Sequence, residues 1–420
     1  MIVHFSTEIS GGAGKFVRNL HSAMLGVGIG SVILTREQNT LDGVITLKRI
    51  SWTKAFLRSH LMNLLSKLRI LKGNYCLFGI ENCPAKIADL EQILKNYKVK
   101  VFIFYWTSFF IDIHTIQKLK DTFPHVKIVF ICLDEIHLTG GCHYSHGCRN
   151  MGNSCFDCPG TILAWLKTKI HRNFERKKII MTEINPTVIY PNSKIKNLGT
   201  QLGTLTKANS FILPLGAIFD AESKTYENQS GKNGNCNKRQ NPNKRTILVR
   251  SSSEFRKGCD LFVSALKILK RKARFSTDCI KVISIGDQTL QELGISKYVE
   301  CHSMGYVDRM TLLELYRDVD ALFVCSREDA GPIMINEAVA LGLYVLSTPV
   351  GVANDLITNN QIGLISQYIS AESIAEVLHK YLKTPISKLK SNQLNSNYNA
   401  SRKFLTFEGF TYQLLKIIVL

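Results

Sequence analysis

The order in which apolar runs, glycines and helical periodicities follow one another constrains this chain more than any other feature. A short strand-like run, Ile2 to Phe5, leads into Ser10-Gly11-Gly12-Ala13-Gly14. A helical stretch from Lys15 to Leu25 follows, with Phe16, Leu20, Ala23 and Met24 spaced for one face. A second strand is expected from Ser31 to Leu34. Strand, glycine loop, helix and strand in that order is what a parallel sheet with crossover helices requires. Further buried strands are expected at Val99 to Tyr105, Val126 to Cys132, Ile179 to Thr182 and Val188 to Tyr190.

The pattern breaks over residues 220–245, which are polar, basic and poor in apolar residues, as a solvated linker would be. It then restarts. Strands are expected at Ile247 to Arg250, Ile280 to Ile285, Ala321 to Val324 and Tyr344 to Ser347, with helices at Asp260 to Lys270, Met310 to Tyr316 and Ile333 to Leu341. The 420 residues exceed one ordinary core and suit two domains of roughly 200 residues each. The expected division is an N-terminal domain at 1–219, a linker at 220–245, a second domain at 246–395, and a C-terminal helix in 396–420 that crosses back to the first domain.

The formal charge of +20 admits three partners: nucleic acid, an anionic membrane surface or a polyphosphate substrate. The segment 54–72 is basic and amphipathic, with Leu57, Leu61, Leu64, Leu65, Leu68 and Leu71 able to share a face. It reads either as contact with anionic lipid or as a packed helix with a solvated basic side. The first residues lack the basic-then-apolar order of a signal peptide, and no run approaches the ~20 apolar residues of a membrane span. A cytoplasmic protein is expected. Of the 12 cysteines, Cys76, Cys83, Cys132, Cys236, Cys259, Cys279, Cys301 and Cys325 are scattered and read as single buried thiols.

The most informative chemistry lies in Ser326 to Gly342. Asp329 and Glu337 bracket Gly331-Pro332, at the end of one expected strand and the start of the next helix. Proline suits the first helical turn, and the free N–H groups there form an anion site. Two carboxylates beside such a turn suit a hydroxyl-rich ligand as hydrogen-bond acceptors.

This stretch resembles the donor-site motif of the group-one, retaining glycosyltransferases, which have the GT-B fold. Their two acids, separated by seven residues, fall on Asp329, in place of the usual Glu, and on Glu337, with Glu328 able to substitute for the first in another register. Gly342 and Val345 match beyond them, Tyr344 replaces a proline, and Gly351 and Asp355 fit the next loop. Phe255-Arg256-Lys257-Gly258 resembles the family's Lys-Gly, whereas its Gly-Arg has become Ser251-Ser252, with Arg250 or Arg256 as the second cation. Ile9 to Ala13 resembles the family's first glycine loop, with Gly11 and Gly12 letting backbone approach a phosphate or sugar. Leu133-Asp134 followed by Thr139-Gly140-Gly141-Cys142-His143-Tyr144 resembles a subset that builds bacterial exopolysaccharide, capsule and O-antigen, with Leu133 where many relatives carry His. Tyr105-Trp106 resembles that subset's His-Trp.

The resemblance implies an α/β protein with two Rossmann-like, doubly wound parallel-sheet domains facing a cleft. It implies transfer of a sugar, with retention, from a nucleotide sugar to a glycan or lipid-linked glycan. Asp134, Lys257, Asp329 and Glu337 would be the catalytic set. Gly11, Gly12, Arg250, Arg256, Lys257, Ala330, Gly331, Pro332, Ile333 and Glu337 would hold the donor, with Asp329 on its sugar and Glu337 on its ribose. Trp106 and His143 would face the acceptor. No cofactor is required for the chemistry if protein cations neutralise the diphosphate. Peripheral contact with the inner face of the cytoplasmic membrane is expected, and nucleic acid is not.

Cys142, Cys148, Cys155 and Cys158, in the loop 139–160, are spaced C-x5-C-x6-C-x2-C. They read as a structural zinc site, as free thiols or as a redox pair; the last Cys-x-x-Cys has metal spacing and the first half does not. Other readings of the whole chain are an epimerase or inactive binding relative on the same fold, and a zinc-containing nucleic-acid-binding protein. Against the last, no nucleic-acid signature is present.

Overall fold

The protein is described by a computed structural model over residues 1–47, 60, 64, 65, 67, 68, 70, 71, 85–203, 209–225, 244–271, 279–385 and 403–419. It divides into a first unit, Met1–Pro214 with Phe410–Leu420, and a second unit, Leu215–Gly409.

The first unit is built on seven strands: β1 (Ile2–Phe5), β2 (Ser31–Thr35), β3 (Val44–Thr46), β4 (Val101–Phe104), β5 (Lys127–Ile131), β6 (Thr187–Tyr190) and β7 (Ser210–Ile212). Their order is β3-β2-β1-β4-β5-β6-β7, and all pairs are parallel. Helices cover a parallel sheet on both faces, so its central strands are apolar on both sides. Phe5 stacks on Phe104 at 4.7 Å, and Phe104 packs on Phe130 at 5.5 Å. His4 interrupts the first apolar run without breaking the core, because Tyr105 Oη and Ser31 Oγ lie 2.7 and 2.9 Å from its two ring nitrogens. Burial pushes its pKa down to about 3, so it stays neutral there.

The second unit has six strands: β8 (Arg245–Ser251), β9 (Ile280–Gly286), β10 (Glu300–Ser303), β11 (Ala321–Val324), β12 (Tyr344–Ser347) and β13 (Gly363–Ile365). Their order is β10-β9-β8-β11-β12-β13, again all parallel. The strand order reverses between β8 and β11. In open parallel sheets such a reversal, beyond the carboxyl ends of the strands, is where ligands bind. The core beneath includes Val249, Phe262, Phe323, Leu346 and Leu378.

Several local expectations are corrected. Ile179 to Thr182 is not a strand; it belongs to the helix Ala164–Ile184. The expected linker begins as a helical segment, 220–225, and its end lies inside β8, while 226–243 fall outside the described residues. Most of the basic stretch 54–72 also falls outside them; of its leucines, Leu64 and Leu68 are exposed and Leu71 is buried. Cys279 and Cys301 are partly exposed rather than buried. No helix among the described residues is long and apolar enough to cross a membrane.

Candidate functional site

In the second unit the chain turns sharply after β8. Phe255–Lys257 forms a single 3-10 turn that Gly258 closes with φ +69°. A Cβ at Gly258 would lie 2.0 Å from the Cys325 carbonyl oxygen, so only glycine lets this turn sit against the end of β11. The following loop is then tied to the turn. Arg327 N donates to Arg256 O at 2.7 Å, and Arg327 stacks its guanidinium 4.0 Å above the Phe255 ring while pairing with Asp260.

This packing brings three of the expected residues together. Lys257 Nζ lies 2.5 Å from Asp329 Oδ2, and Arg256 Nη1 lies 3.3 Å from the same oxygen. Gly331 N donates to Asp329 Oδ1 at 3.3 Å. Burial works against the Asp329 charge, but Lys257 and then Arg256 outweigh it and hold the carboxyl below the usual carboxylate range. Pro332 caps the helix Ile333–Leu341, and Ala330 is buried before it. Gly351, with φ +51°, packs against this loop; a Cβ there would meet Pro332 Cδ at 2.6 Å and Asp329 O at 2.8 Å.

Glu337 stands apart from that cluster. Arg309 Nη1 donates to its Oε1, and Tyr316 Oη donates to its Oε2 at 2.6 Å. Burial raises the Glu337 pKa, opposed chiefly by Arg309 and then by Tyr316. Arg250 is exposed near the end of β8, and its charge is felt at Tyr316. Where the family carries Gly-Arg, Ser251 is bound into the loop after β9, and Ser252 N donates to Cys259 Sγ at 3.3 Å. Ser251 Oγ donates to Asp287 Oδ1 at 3.1 Å, and Ser253 N donates to Asp287 Oδ2 at 2.7 Å.

The first unit gathers a second set. Asp134 Oδ2 lies 2.6 Å from His143 Nδ1, and Ile136 N donates to Asp134 Oδ1 at 2.9 Å. Burial opposes the Asp134 charge, but His143 and the Ile136 amide hold its pKa down. Trp106 Nε1 donates to His143 Nε2 at 3.2 Å. An indole N–H is a donor only, so this bond needs the Nε2 lone pair and places the ring proton on Nδ1, facing Asp134. Ser108 Oγ is also 3.2 Å from His143 Nε2, a contact that sequence reasoning missed although Ser108 follows Tyr105-Trp106 closely. Buried His137 lies with Nε2 2.5 Å from Tyr105 O.

Gly11 and Gly12 are exposed at the start of the helix Gly11–Gly26. The amides before them already hold an anion of the protein's own. Ile9 N and Ser10 N donate to Glu37 Oε2 at 2.6 and 3.0 Å. Glu37 carries no sequence signal for this role.

Cys142, Cys148, Cys155 and Cys158 do converge, around one cavity of about 10 Å³ that Met151, Pro159 and Ile170 also line. That is near the smallest space able to hold one water. Burial raises the thiol pKa values of Cys142, Cys155 and Cys158 above the ordinary range, that of Cys155 to about 11. Gly140 N donates to Cys155 Sγ at 3.4 Å. Among the described residues no three His, Cys, Asp or Glu side chains are placed to hold a metal ion. Of the three readings of this loop, structural zinc, free thiols and a redox pair, the described arrangement has four unbridged thiols lining one small pocket.

Residues 236–400, all within the second unit, match the family described as "Glycosyl transferases group 1". No curated protein matches the chain in sequence. Solved structures match it over nearly its whole length. A glycosyltransferase from Rickettsia africae ESF-5 is 15% identical with a TM-score of 0.62, covering 99% of this chain and 97% of its own. WaaG, a glycosyltransferase involved in lipopolysaccharide biosynthesis, is 15% identical with a TM-score of 0.62, covering 100% and 99%. HepE from Anabaena, solved in complex with UDP-glucose, is 11% identical with a TM-score of 0.59, covering 99% of each chain. The chain therefore has the two-unit, parallel-sheet architecture of GT-B glycosyltransferases, and its second unit carries the group 1 match.

Proposed function

We propose that the protein is a retaining glycosyltransferase that moves a hexosyl group from a nucleotide sugar to a glycan or lipid-linked glycan in bacterial surface polysaccharide synthesis. The observation that carries this reading is the convergence of Lys257 and Arg256 on Asp329 beyond β8 and β11, inside the region that matches the group 1 family. A departing nucleoside diphosphate develops negative charge as the bond to the sugar breaks. Fixed cations in a site shielded from solvent stabilise that charge more than water does. Lys257 and Arg256 would take it, with amides near Ala330, Gly331 and Ile333 holding sugar and diphosphate. Asp329 would orient the sugar, and Glu337 would accept from the ribose.

In the first unit Trp106, Asp134 and His143 would meet the acceptor, with Gly11 and Gly12 admitting the donor close to backbone. The charge of +20 supports action at the inner face of the cytoplasmic membrane through contact with anionic lipid. Binding to anionic vesicles that weakens with salt is expected, and absence of binding at any ionic strength would remove the membrane part.

The test is release of free nucleotide when purified protein meets a panel of nucleotide sugars with a membrane extract. Turnover with one donor, lost in Glu337→Ala, is expected. No turnover with any donor would favour a binding-only relative, and an inverted anomeric centre in the product would overturn retention.

A further inference from the structure

We propose that Arg309 is a positioning residue that, with Tyr316, holds the Glu337 carboxylate as an oriented acceptor for the two hydroxyls of a nucleotide ribose. The inference rests on the reading of the second unit as a nucleotide-sugar site. It assigns a role to residues that the acid motif does not contain.

Arg309 opens the helix Arg309–Asp318, and Tyr316 lies two turns along it. The two side chains take one oxygen of Glu337 each, so a single helix face fixes both ends of the carboxylate. Arg309 is itself fixed from the other side. Its Nε and Nη2 donate to the two oxygens of Glu222, each at 2.9 Å, and Nη2 donates to Ala217 O at 3.1 Å. One planar guanidinium thus spans three acceptors on two separate segments, a geometry that a lysine ammonium cannot copy. An ionised carboxylate has about four acceptor positions, so two remain for a vicinal diol after Arg309 and Tyr316 are counted.

Charge follows the same geometry. The groups facing Glu337 are Arg309 and Tyr316, which favour its ionised form, and Glu222, which disfavours it, as burial does. Without Arg309 the carboxyl would keep its proton to higher pH. A protonated carboxyl donates at one oxygen and loses acceptor capacity for the diol.

The experiment uses the full chain and its Arg309→Lys, Arg309→Gln and Tyr316→Phe variants, each checked for native circular dichroism. Calorimetry measures binding of UDP, GDP and ADP, and of the analogue of each that lacks both ribose hydroxyls. Wild type is expected to prefer the ribose form by about tenfold or more, tenfold being the lower end for one hydrogen bond to a charged group. Both Arg309 variants should lose that preference while binding the dideoxy form unchanged. Tyr316→Phe should lose part of it. In wild type the preference should fall as pH is lowered and the Glu337 carboxyl takes up its proton. Equal weakening of both forms would make Arg309 a structural clamp of the Ala217–Glu222 segment and overturn the proposal, as would unchanged binding in all variants. A wild type that binds both forms equally overturns this inference and leaves the donor-site reading standing. A wild type that binds none of the three diphosphates overturns both.

Discussion

Lys257 Nζ and Asp329 Oδ2 are 2.5 Å apart, with both side chains largely closed off from solvent. A cation held by an acid of the protein is already oriented before any ligand arrives. Lys257→Ala is expected to lower turnover by about 10²- to 10³-fold, the usual loss when one preorganised charge partner of a departing anion is removed. Arg256 stays on Asp329 in that variant, so folding should survive. Nucleotide release measured at saturating donor checks it; a change in KM alone would mean that Lys257 serves binding rather than the chemical step.

Asp329 and Asp134 share a direction of charge perturbation. In each, burial raises the pKa, nearby cationic or hydrogen-bonding groups lower it, and the net shift is downward. A carboxyl depressed on folding adds stability that is present above its unfolded value of about 3.9 and is lost as pH falls through the folded one. Asp134→Asn and Asp329→Asn should therefore be less stable than wild type near neutrality and approach it in acid. Urea unfolding across a pH series measures this, and a pH-independent difference would assign the loss to packing.

Gly258→Ala should destabilise the second unit without touching any charged group. The residue is in the left-handed region, and its new Cβ would meet a backbone oxygen that cannot swing aside. A loss of about 2 kcal/mol or more is expected from the left-handed conformation and the clash together. A thermal midpoint within a degree or so of wild type would show that the turn can re-form elsewhere.

The cysteine loop makes a chemical prediction. With their pKa values raised by burial, Cys142, Cys155 and Cys158 hold little thiolate near neutral pH. A disulfide reagent should modify them slowly in the native protein and quickly after unfolding. A chelator should change neither rate. Acceleration by chelator, with zinc released in proportion, would favour the metal reading.

Much of the framework was legible because parallel strands buried on both faces are written as continuous apolar runs. Ala321–Val324, Ile333–Leu341 and Tyr344–Ser347 were read at their observed bounds. The short strands Val44–Thr46, Ser210–Ile212, Glu300–Ser303 and Gly363–Ile365 were missed, since none combines length with a clear apolar run. Ile179 to Thr182 was misread because Lys177 hides the helical stripe. It occupies a buried position between Phe174 and Met181, where its ammonium donates to Ile136 O at 2.7 Å and Thr139 O at 3.1 Å. At the candidate site the adjacent Arg256 and Lys257 were visible as a motif. Arg309, Tyr316, Glu222 and Glu37 were not, because their partners are distant in sequence and only the folded chain defines the pairs.

The helix Phe407–Val419 belongs to the second unit in its first residues and to the first unit from Phe410 onward. There Phe410, Leu414 and Ile418 are buried, Phe410 packs on Phe16 at 5.5 Å, and Lys127 Nζ donates to Ile418 O at 3.0 Å. During synthesis these residues leave the ribosome after the whole of the second unit. The first unit is thus begun first and finished last, and no single cut of the chain separates the two units intact.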